Sequence, residues 1–347
     1  MKKIDPTNER KLRHIRAIEA HPETDRRKFH FDDIRLKHRA LPEVNLKDVD
    51  PSTFFMGKKL SFPLLISSMT GGDHELIKTI NRNLATAAEA TGVALAVGSQ
   101  RVMFSEPAAR ASFELRSYAP TAMLFSNLGA IQLNNGFTVE LCREAIEVVG
   151  ADALYFHLNP LQEAVQTNGD TNFQGLAEKL QDIDEQLDEP VVLKEVGAGF
   201  SVEDLQLLLA GSIQYIDVAG SGGTSWSRIE YHSQTQKDKT ELGLTFEDWG
   251  VPTPEALIAL RPYRERFTFI ASGGIRSGID MVKAMILGAS LCGMASPFLK
   301  PAMESPEKTI DLIERIKRDF VTAMFLLGMP DVASLTHNEA LLLTRLP

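Results

Sequence analysis

The chain has 347 residues, 44% of them hydrophobic and 24% charged, a composition typical of one large or two ordinary globular domains. Its formal net charge of −9 argues against a nucleic-acid partner, because a general nucleic-acid surface needs a basic excess. Neither a membrane span nor the apolar core of a signal peptide is present in the sequence. Cys142 and Cys292 lack metal-type spacing and are interpreted as buried thiols. We therefore expect a cytoplasmic protein with no membrane partner.

The chain divides into a polar, proline-containing arm (1–60) and a main domain (61–347) with a regular strand–helix rhythm. Helical spacing of apolar residues predicts helices at 74–90, 139–149, 202–210, 279–288 and 307–328. Seven of the apolar runs are typical of buried parallel strands, and the eighth is supported by its place in the series. Eight units predict an α/β protein with a (β/α)8 TIM barrel, and a doubly wound sheet is the main alternative. The runs are 63–68, 93–99, 122–129, 153–159, 190–197, 215–223, 267–274 and 290–297.

Two long loops interrupt the rhythm, at 159–173 after the fourth predicted strand and at 221–253 after the sixth. Long loops in a compact domain are usually functional or disordered. In a TIM barrel the active site lies at the C-terminal ends of the strands, where both loops begin. We therefore predict that the two loops flank the active site.

Glycine-rich segments follow two neighbouring predicted strands, GSGGTS after the sixth and SGGIR after the seventh. Loops at these positions of a TIM barrel commonly bind phosphate through backbone N–H groups, and Arg276 adds positive charge. The alternative is that these glycines serve only as turn residues. No segment matches the fingerprint of a Rossmann dinucleotide site.

Lys194 lies inside the otherwise apolar fifth strand, where a buried amine needs a partner. One interpretation is a structural pair with Glu195 or Asp217. Because neighbouring strand residues point to opposite faces, we favour an inward Lys194 beside an electron-rich cofactor.

The segment YFHLNPLQEA (155–164) places four polar groups within seven positions at the end of the fourth strand: His157, Asn159, Gln162 and Glu163. The sequence offers no evident acid–base pair of carboxylates, since Gln162 cannot titrate. The strand ends instead present small polar groups and a few cations. This pattern suits an anionic organic ligand better than a hydrolytic metal cluster.

Motifs along nearly the whole chain are similar to those of the type II isopentenyl diphosphate isomerases, which use FMN. The combination of HLNPLQE with GSQR and RKxxHI is the most specific part of this resemblance. The motifs are ERKLRHI (9–15), LPEVNLKDVDPST (41–53), MTGG (69–72), AVGSQR (96–101), SNLGA (126–130), HLNPLQE (157–163), KEVG (194–197), AGSGGTSW (219–226) and ASGGIRSG (271–278).

The resemblance implies a (β/α)8 fold, the cofactors FMN and Mg2+, and NADPH as the reductant of FMN. It also implies a homo-oligomer, a tetramer or an octamer. The implied reaction is the allylic rearrangement of isopentenyl to dimethylallyl diphosphate. The implied flavin-binding residues are Ser68, Met69, Thr70, Ser99, Asn127, Lys194, Ser221 and Thr224. The implied cradle for the flavin phosphate consists of Gly274, Ile275, Arg276, Ala295 and Ser296.

For the small-molecule diphosphate substrate, the resemblance implies contacts from both the arm and the barrel. Gln162 would lie beside the carbon skeleton, Trp226 would line the hydrocarbon end, and Glu163 would ligate Mg2+. The implied diphosphate ligands are Arg10, Lys11, Ser99, Gln100, Arg101, His157 and Asn159.

Gln162, Lys194 and His157 are the candidate catalytic residues. We hypothesise that reduced FMN carries the proton, that Gln162 orients the substrate, and that Lys194 favours the anionic reduced flavin. One alternative is an FMN-dependent oxidoreductase acting on a small hydroxy acid or dihydro-heterocycle, with His157 as its base. A second alternative is a non-catalytic phosphate-binding barrel.

Overall fold

The computed structural model of the chain describes residues 6–26, 29–234 and 240–343. Parts of the predicted arm (1–5 and 27–28), of the predicted insertion (235–239) and of the C-terminus (344–347) lie outside the described residues. Two short strands, β1 (Thr53–Phe55) and β2 (Lys58–Leu60), form an antiparallel hairpin. The remaining strands are β3 (Leu64–Ile66), β4 (Ala94–Ala96), β5 (Leu124–Gly129), β6 (Ala153–Leu158), β7 (Val191–Glu195), β8 (Tyr215–Asp217), β9 (Thr268–Ser272) and β10 (Ala289–Met294).

Helices follow most of the strands. The α-helices are α1 (Pro6–Ala20), α2 (Glu75–Thr91), α3 (Arg101–Ser105), α4 (Val139–Val149), α5 (Pro160–Val165), α6 (Leu176–Asp184), α7 (Val202–Gln206), α8 (Trp226–Ser233), α9 (Leu242–Thr245), α10 (Thr253–Leu260), α11 (Gly278–Ile286), α12 (Ser296–Glu304), α13 (Pro306–Leu327) and α14 (Val332–Leu335). Short 3-10 helices occupy Pro22–Thr24, Phe31–Asp33, Leu46–Asp48, Pro107–Ser112, Ala130–Asn135, Arg261–Tyr263 and Glu339–Leu341. Across the described part of the chain, none of the helices combines the length and the apolar character needed to cross a bilayer.

Strands β3 to β10 form a closed parallel barrel in which β10 pairs with β3, with Cys292 opposite Leu64. Each of the eight predicted apolar runs overlaps one barrel strand, with β10 beginning one residue before its run, so the (β/α)8 prediction is confirmed. The doubly wound alternative is wrong, because an open sheet would leave β3 and β10 as unpaired edges.

Alternation along the strands separates two cores. Leu64 and Ile66 of β3 face the outer layer, where the helices pack, whereas Leu65 faces the barrel interior. The interior cluster also takes in Phe55 of the hairpin, whose ring lies 5.7 Å from that of Tyr215 at the start of β8. The hairpin therefore packs against the N-terminal end of the barrel, and the opposite end carries the loops.

Most predicted helices match closely. Helix α4 has the predicted bounds, and α13 is shifted by one residue from the predicted 307–328. Helix α7 ends at Gln206, four residues before the predicted end at 210. Beyond it the chain tightens into turns, in which Leu208 donates to the Leu205 carbonyl and Gly211 to the Leu208 carbonyl. These shorter-range bonds replace the helical pattern that the leucines of this segment suggest.

The segment after α1 is held at the C-terminal rim of the barrel by buried contacts. Arg26 is 6% exposed and donates to the carbonyls of Gly197, Glu247 and Trp249. Lys283 of α11 donates to the Phe31 carbonyl at 2.8 Å. An arm and an insertion that are distant in sequence are therefore joined above the strand ends.

The contact between α11 and α13 generates a stability prediction. A Cβ atom at Gly278 would lie 2.3 Å from the Phe320 nitrogen and 2.4 Å from the Ile316 carbonyl oxygen, both backbone atoms. We expect Gly278→Ala to lower the free energy of unfolding by about 3 kcal/mol, because the two helices must separate. The neighbouring exposed residue provides the control, since Ile279→Ala should change stability by less than about 0.5 kcal/mol. Denaturant unfolding tests this, and equal effects of the two substitutions would contradict it.

Candidate active site

Two adjoining pockets lie at the C-terminal ends of the barrel strands. The larger pocket contains most residues of the predicted flavin site, together with residues of α1 and α8. Two buried hydroxyl groups in its wall, Ser67 Oγ and Thr70 Oγ1, have no hydrogen-bond partner among the described residues. The predicted residues that line it are Lys11, Ser68, Met69, Thr70, Ser99, Asn127, His157, Gln162, Lys194, Thr224, Trp226, Gly274, Arg276, Ala295 and Ser296.

The smaller pocket is polar and contains most residues predicted to bind diphosphate. It shares a wall with the larger pocket, formed by Lys11, His14, Ser99, His157 and Gln162. The two sites predicted separately from the sequence are therefore next to each other. The predicted residues that line the smaller pocket are Arg10, Lys11, Ser99, Arg101, His157, Asn159, Gln162 and Glu163.

Three predicted residues line neither pocket. The fully buried Gln100 side chain donates to the Ala145 carbonyl and accepts from the Asn127 N–H, so it braces the strand ends from outside. The Ser221 N–H already donates to the Val251 carbonyl, and Ile275 is packed in the outer core. In the structure, these three residues support the pocket walls.

Arg10, Lys11 and Arg101 bring three cationic side chains to the smaller pocket from two separate parts of the chain. Burial and the neighbouring arginines lower the pKa of Lys11 to about 8. Burial also lowers the pKa of Arg10. Arg101 forms an ion pair with Asp170 at 3.2 Å. A group of partly desolvated cations is the electrostatic arrangement that an anionic ligand would stabilise.

Lys194 of β7 lines the larger pocket and is also paired beneath it with Asp217 of β8. Its Nζ lies 3.5 Å from Asp217 Oδ2 and donates to the Glu195 carbonyl at 2.9 Å. The fully buried Asp217 carboxylate also accepts from Tyr155 and Ser272. The inward and the paired interpretations of Lys194 therefore both hold, because the side chain reaches the pocket while its charge is balanced from below.

Glu195 is not the partner of the Lys194 ammonium group. Its carboxylate accepts from the backbone N–H groups of the four residues that follow it, 196–199. Burial nevertheless raises the pKa of Glu195 to about 7. The side chain shapes the turn after β7, and this turn carries Val196 and Gly197 into the pocket wall.

His157 has a defined tautomer. Its Nδ1 lies 2.8 Å from Asn127 Oδ1, and the Asn127 amide is oriented by donating to Ser68 and to the Val97 carbonyl. Nδ1 therefore donates, and Nε2 is the free acceptor of the neutral ring. Burial, Lys11, Lys194 and Arg101 lower the pKa of His157 to about 3. The ring is neutral until an anion offsets these cations.

Glu163 lies among amide groups at the floor of the smaller pocket. Its carboxylate accepts from Asn159, Gln166 and the Asp170 N–H at 2.9, 3.2 and 2.8 Å. Two buried oxygens of this group, Asn159 Oδ1 and Gln166 Oε1, have no hydrogen-bond partner among the described residues. A carboxylate beside unpartnered amide oxygens fits a hard cation such as Mg2+. Gln166 and Asp170 are additions to the predicted set.

Glu230 of α8 is a functional candidate that the sequence interpretation missed. It is 3% exposed and accepts from Gln162 Nε2 at 2.7 Å, while His14 Nε2 lies 3.3 Å away. His14 in turn packs edge-on against Trp226 at 5.3 Å. The sequence analysis found no evident acid–base pair of carboxylates and did not single out Glu230. Gln162 and Glu230 are 68 residues apart in the chain, so no local sequence pattern indicates their hydrogen bond.

The glycine-rich loops meet at the far end of the larger pocket. A Cβ atom at Gly223 would lie 2.7 Å from the Gly274 nitrogen and 3.0 Å from Arg276 Nη2, so the absence of a side chain lets the two loops pack closely. Arg276, Ser296 and Thr224 point toward the same space. This cradle of two hydroxyl donors and one arginine fits the phosphate of FMN.

Comparison with known proteins agrees with this geometry. A family model described as FMN-dependent dehydrogenase matches residues 132–342. An isopentenyl-diphosphate delta-isomerase of Hydrogenovibrio crunogenus is 52% identical over 97% of this chain and 98% of its own. Relatives with the same name from Paracoccus zeaxanthinifaciens and from a Nostoc species are 52% and 42% identical, each over 96% of both chains.

The chain belongs to the isopentenyl-diphosphate delta-isomerase family. The match to FMN-dependent dehydrogenases fits the type II form of this family. Among solved structures, a flavocytochrome b2 variant matches with a TM-score of 0.67 and 17% identity, over 96% of this chain and 86% of its own. A mandelate oxidase variant with (S)-mandelic acid matches with a TM-score of 0.62 and 19% identity, over 91% and 88%. These two proteins share the barrel fold with the isomerase family.

The buried pair of Lys194 and Asp217 generates a second prediction. We expect Lys194→Met to lower the free energy of unfolding of the FMN-free protein by about 3–5 kcal/mol, because Asp217 is left as an unpaired buried charge. Adding Asp217→Asn to Lys194→Met should restore most of this loss. A double-mutant cycle in denaturant measures the coupling. Simple addition of the two single effects would show that the residues are not energetically paired.

Proposed function

We propose that this chain interconverts isopentenyl and dimethylallyl diphosphate by moving a proton, using FMN in its reduced form together with Mg2+. The observation that carries the proposal is the shared wall of the two pockets. On one side of this wall is a cationic pocket beside Glu163, and on the other is a large pocket with a phosphate-sized cradle. A diphosphate bound in the first pocket would direct its hydrocarbon chain toward the second.

In this proposal the smaller pocket holds the diphosphate. Arg10, Lys11 and Arg101 neutralise its charge, the arginines through paired N–H donors. Glu163, with the free oxygens of Asn159 and Gln166, would hold Mg2+, which commonly binds through one carboxylate plus substrate phosphates. Once the anion is present, the His157 ring is relieved of the cations that suppress its protonation. Its Nε2 then becomes a donor to the diphosphate.

The carbon skeleton would lie between Gln162 and Trp226, both of which line the larger pocket. Bound FMN, when reduced, would supply an electron-rich acid–base group beside the double bond. Glu230 is the chain's own acid–base candidate. Burial raises its pKa, but His14, Gln162 and Arg10 outweigh that effect and hold the pKa below its usual value. The ionised carboxylate fixes the Gln162 amide. It would receive the substrate proton by relay, in which the Gln162 oxygen takes up the proton from the substrate carbon while the Gln162 nitrogen gives one to Glu230.

The alternative, an FMN-dependent oxidoreductase, needs a competent base at a strand end. His157 is the residue that the sequence suggests for this role. Burial and nearby cations lower the pKa of His157 to about 3, so its neutral ring is a weak base in this setting. The geometry therefore favours the isomerase.

The remaining parts of the proposal concern the cellular form of the enzyme. We propose NADPH as the reductant of FMN, a cytoplasmic location and a homo-oligomeric assembly, a tetramer or an octamer. We also propose that residues 1–60 act as an arm that contributes to the substrate site, and that residues 61–347 form the FMN-binding barrel. The position of Arg10 and Lys11 beside the substrate pocket supports the role of the arm.

A turnover assay tests the proposed function. Anaerobic protein loaded with reduced FMN and Mg2+ should convert isopentenyl diphosphate to dimethylallyl diphosphate without net oxidation of the flavin. Glu230→Gln should lower kcat by about 100-fold or more, because it removes the acid–base carboxylate. FMN affinity of this variant should remain unchanged. Bleaching of oxidised flavin by a hydroxy acid or dihydro-heterocycle, without isomerisation, would instead support the oxidoreductase.

The pKa of Lys11 provides a separate test of the diphosphate pocket. At pH 8 Lys11 is about half protonated, and a bound anion raises its pKa, so inorganic diphosphate should bring uptake of about half a proton. Lys11→Arg keeps the charge but does not titrate at this pH, so the extra uptake should vanish while binding persists. Calorimetry in two buffers of different ionisation enthalpy measures the proton uptake of each protein. The ionisation of the ligand itself contributes equally to both values and cancels in their difference. Identical proton uptake by both proteins would remove Lys11 from the diphosphate site.

A further inference from the structure

The side chain of Asp25 lies in the cradle that the phosphate of FMN would use. Thr224 donates its hydroxyl to Asp25 Oδ1 at 2.6 Å, and Ser296 donates to Oδ2 at 3.3 Å. Arg276 Nη2 donates to the same Oδ2 at 3.1 Å. These three donors follow three different strands, and the family resemblance implies that each contacts the flavin. One carboxylate therefore engages three of the cradle's side-chain donors.

Backbone contacts hold Asp25 at this position. Residues 24–26 run antiparallel to residues 223–225, with a bridge between Asp25 and Thr224. The Arg26 N–H donates to the Gly223 carbonyl at 3.0 Å, and the Ser225 N–H donates to the Thr24 carbonyl at 2.8 Å. The arm is thus attached to the glycine-rich loop by its backbone, and this attachment does not depend on the Asp25 side chain. The side chain is 31% exposed, so an outward rotation leads to solvent.

We propose that Asp25 is a built-in anionic competitor that sets the affinity of the site for the phosphate group of the flavin. The proposal rests on FMN being the cofactor of the larger pocket. A carboxylate and a phosphate are both acceptors of the same hydroxyl and guanidinium donors. Two anions on one arginine also repel each other, so phosphate binding requires Asp25 to leave its donors.

The size of the effect follows from the fraction of molecules in which the cradle is open. The apparent dissociation constant equals the intrinsic constant divided by that fraction. If the carboxylate occupies the donors about nine-tenths of the time, its removal strengthens FMN binding roughly tenfold. The ring system of the flavin would lie elsewhere in the pocket, so a ligand without phosphate should be insensitive to Asp25.

The opposite role is also open to test. In this role, Asp25 would hold Arg276 in the orientation that binds the phosphate, as a carboxylate that orients a ligand-binding side chain does. In that case its removal would weaken FMN binding. The two roles predict opposite signs for the same substitution.

The experiment compares FMN with riboflavin, which lacks the phosphate, on the full-length FMN-free protein. Dissociation constants are measured by flavin fluorescence quenching for Asp25→Asn and Asp25→Ala. We expect both variants to bind FMN roughly tenfold more tightly and to bind riboflavin as the wild type does. If both variants show the same FMN affinity, the gain does not come from a hydrogen bond donated by the introduced asparagine amide. Asp32→Asn, an exposed acid in the same arm, is the control for net charge and should leave both affinities unchanged.

Each other result overturns the proposal. Unchanged or weaker FMN binding in the Asp25 variants, with normal riboflavin binding, shows that the carboxylate does not compete with phosphate. An equal change for both flavins shows a general effect on the pocket. Failure of the wild type to bind either flavin would instead overturn the proposed function, which is a distinct outcome from the first two.

Discussion

The parallel pairing of β10 with β3 is the contact on which the rest of the structure depends. It closes the ring, and a closed ring of parallel strands directs every C-terminal end to one rim. Residues as distant as Ser68, Lys194 and Ser296 meet there. An open sheet of the same strands would leave two hydrogen-bonding edges exposed and would spread these residues along a line.

Positive charge is concentrated at this rim, and three of the cations form ion pairs with carboxylates. Lys194 lies above Asp217, Arg101 pairs with Asp170, and Arg276 pairs with Asp25. The first pair is buried beneath the pocket, where desolvation makes an unpaired ion costly. The other two pairs include residues of the pocket walls and lie within reach of solvent.

The arm and the α8 insertion complete the site from outside the barrel. His14 and Lys11 come from α1, and Trp226 and Glu230 come from α8. Arg26 joins these parts by donating to carbonyls of the turn after β7 and of the insertion. The polar stretch His157–Glu163 therefore shares its pockets with residues of α1 and α8 that are distant from it in sequence.

The sequence by itself determined the eight barrel strands, the approximate bounds of four of the five helices predicted from it and the residues at the strand ends, because these follow from local periodicity and from motifs. It also identified the family, and with it fifteen of the residues that line the larger pocket. Only the tertiary structure decided which charges meet. The partnerships of Gln162 with Glu230 and of Arg276 with Asp25 span 68 and 251 residues, and no local pattern records them. It likewise decided that Gln100 supports the wall instead of facing the pocket, because the direction of a side chain at a strand end depends on its neighbours in space.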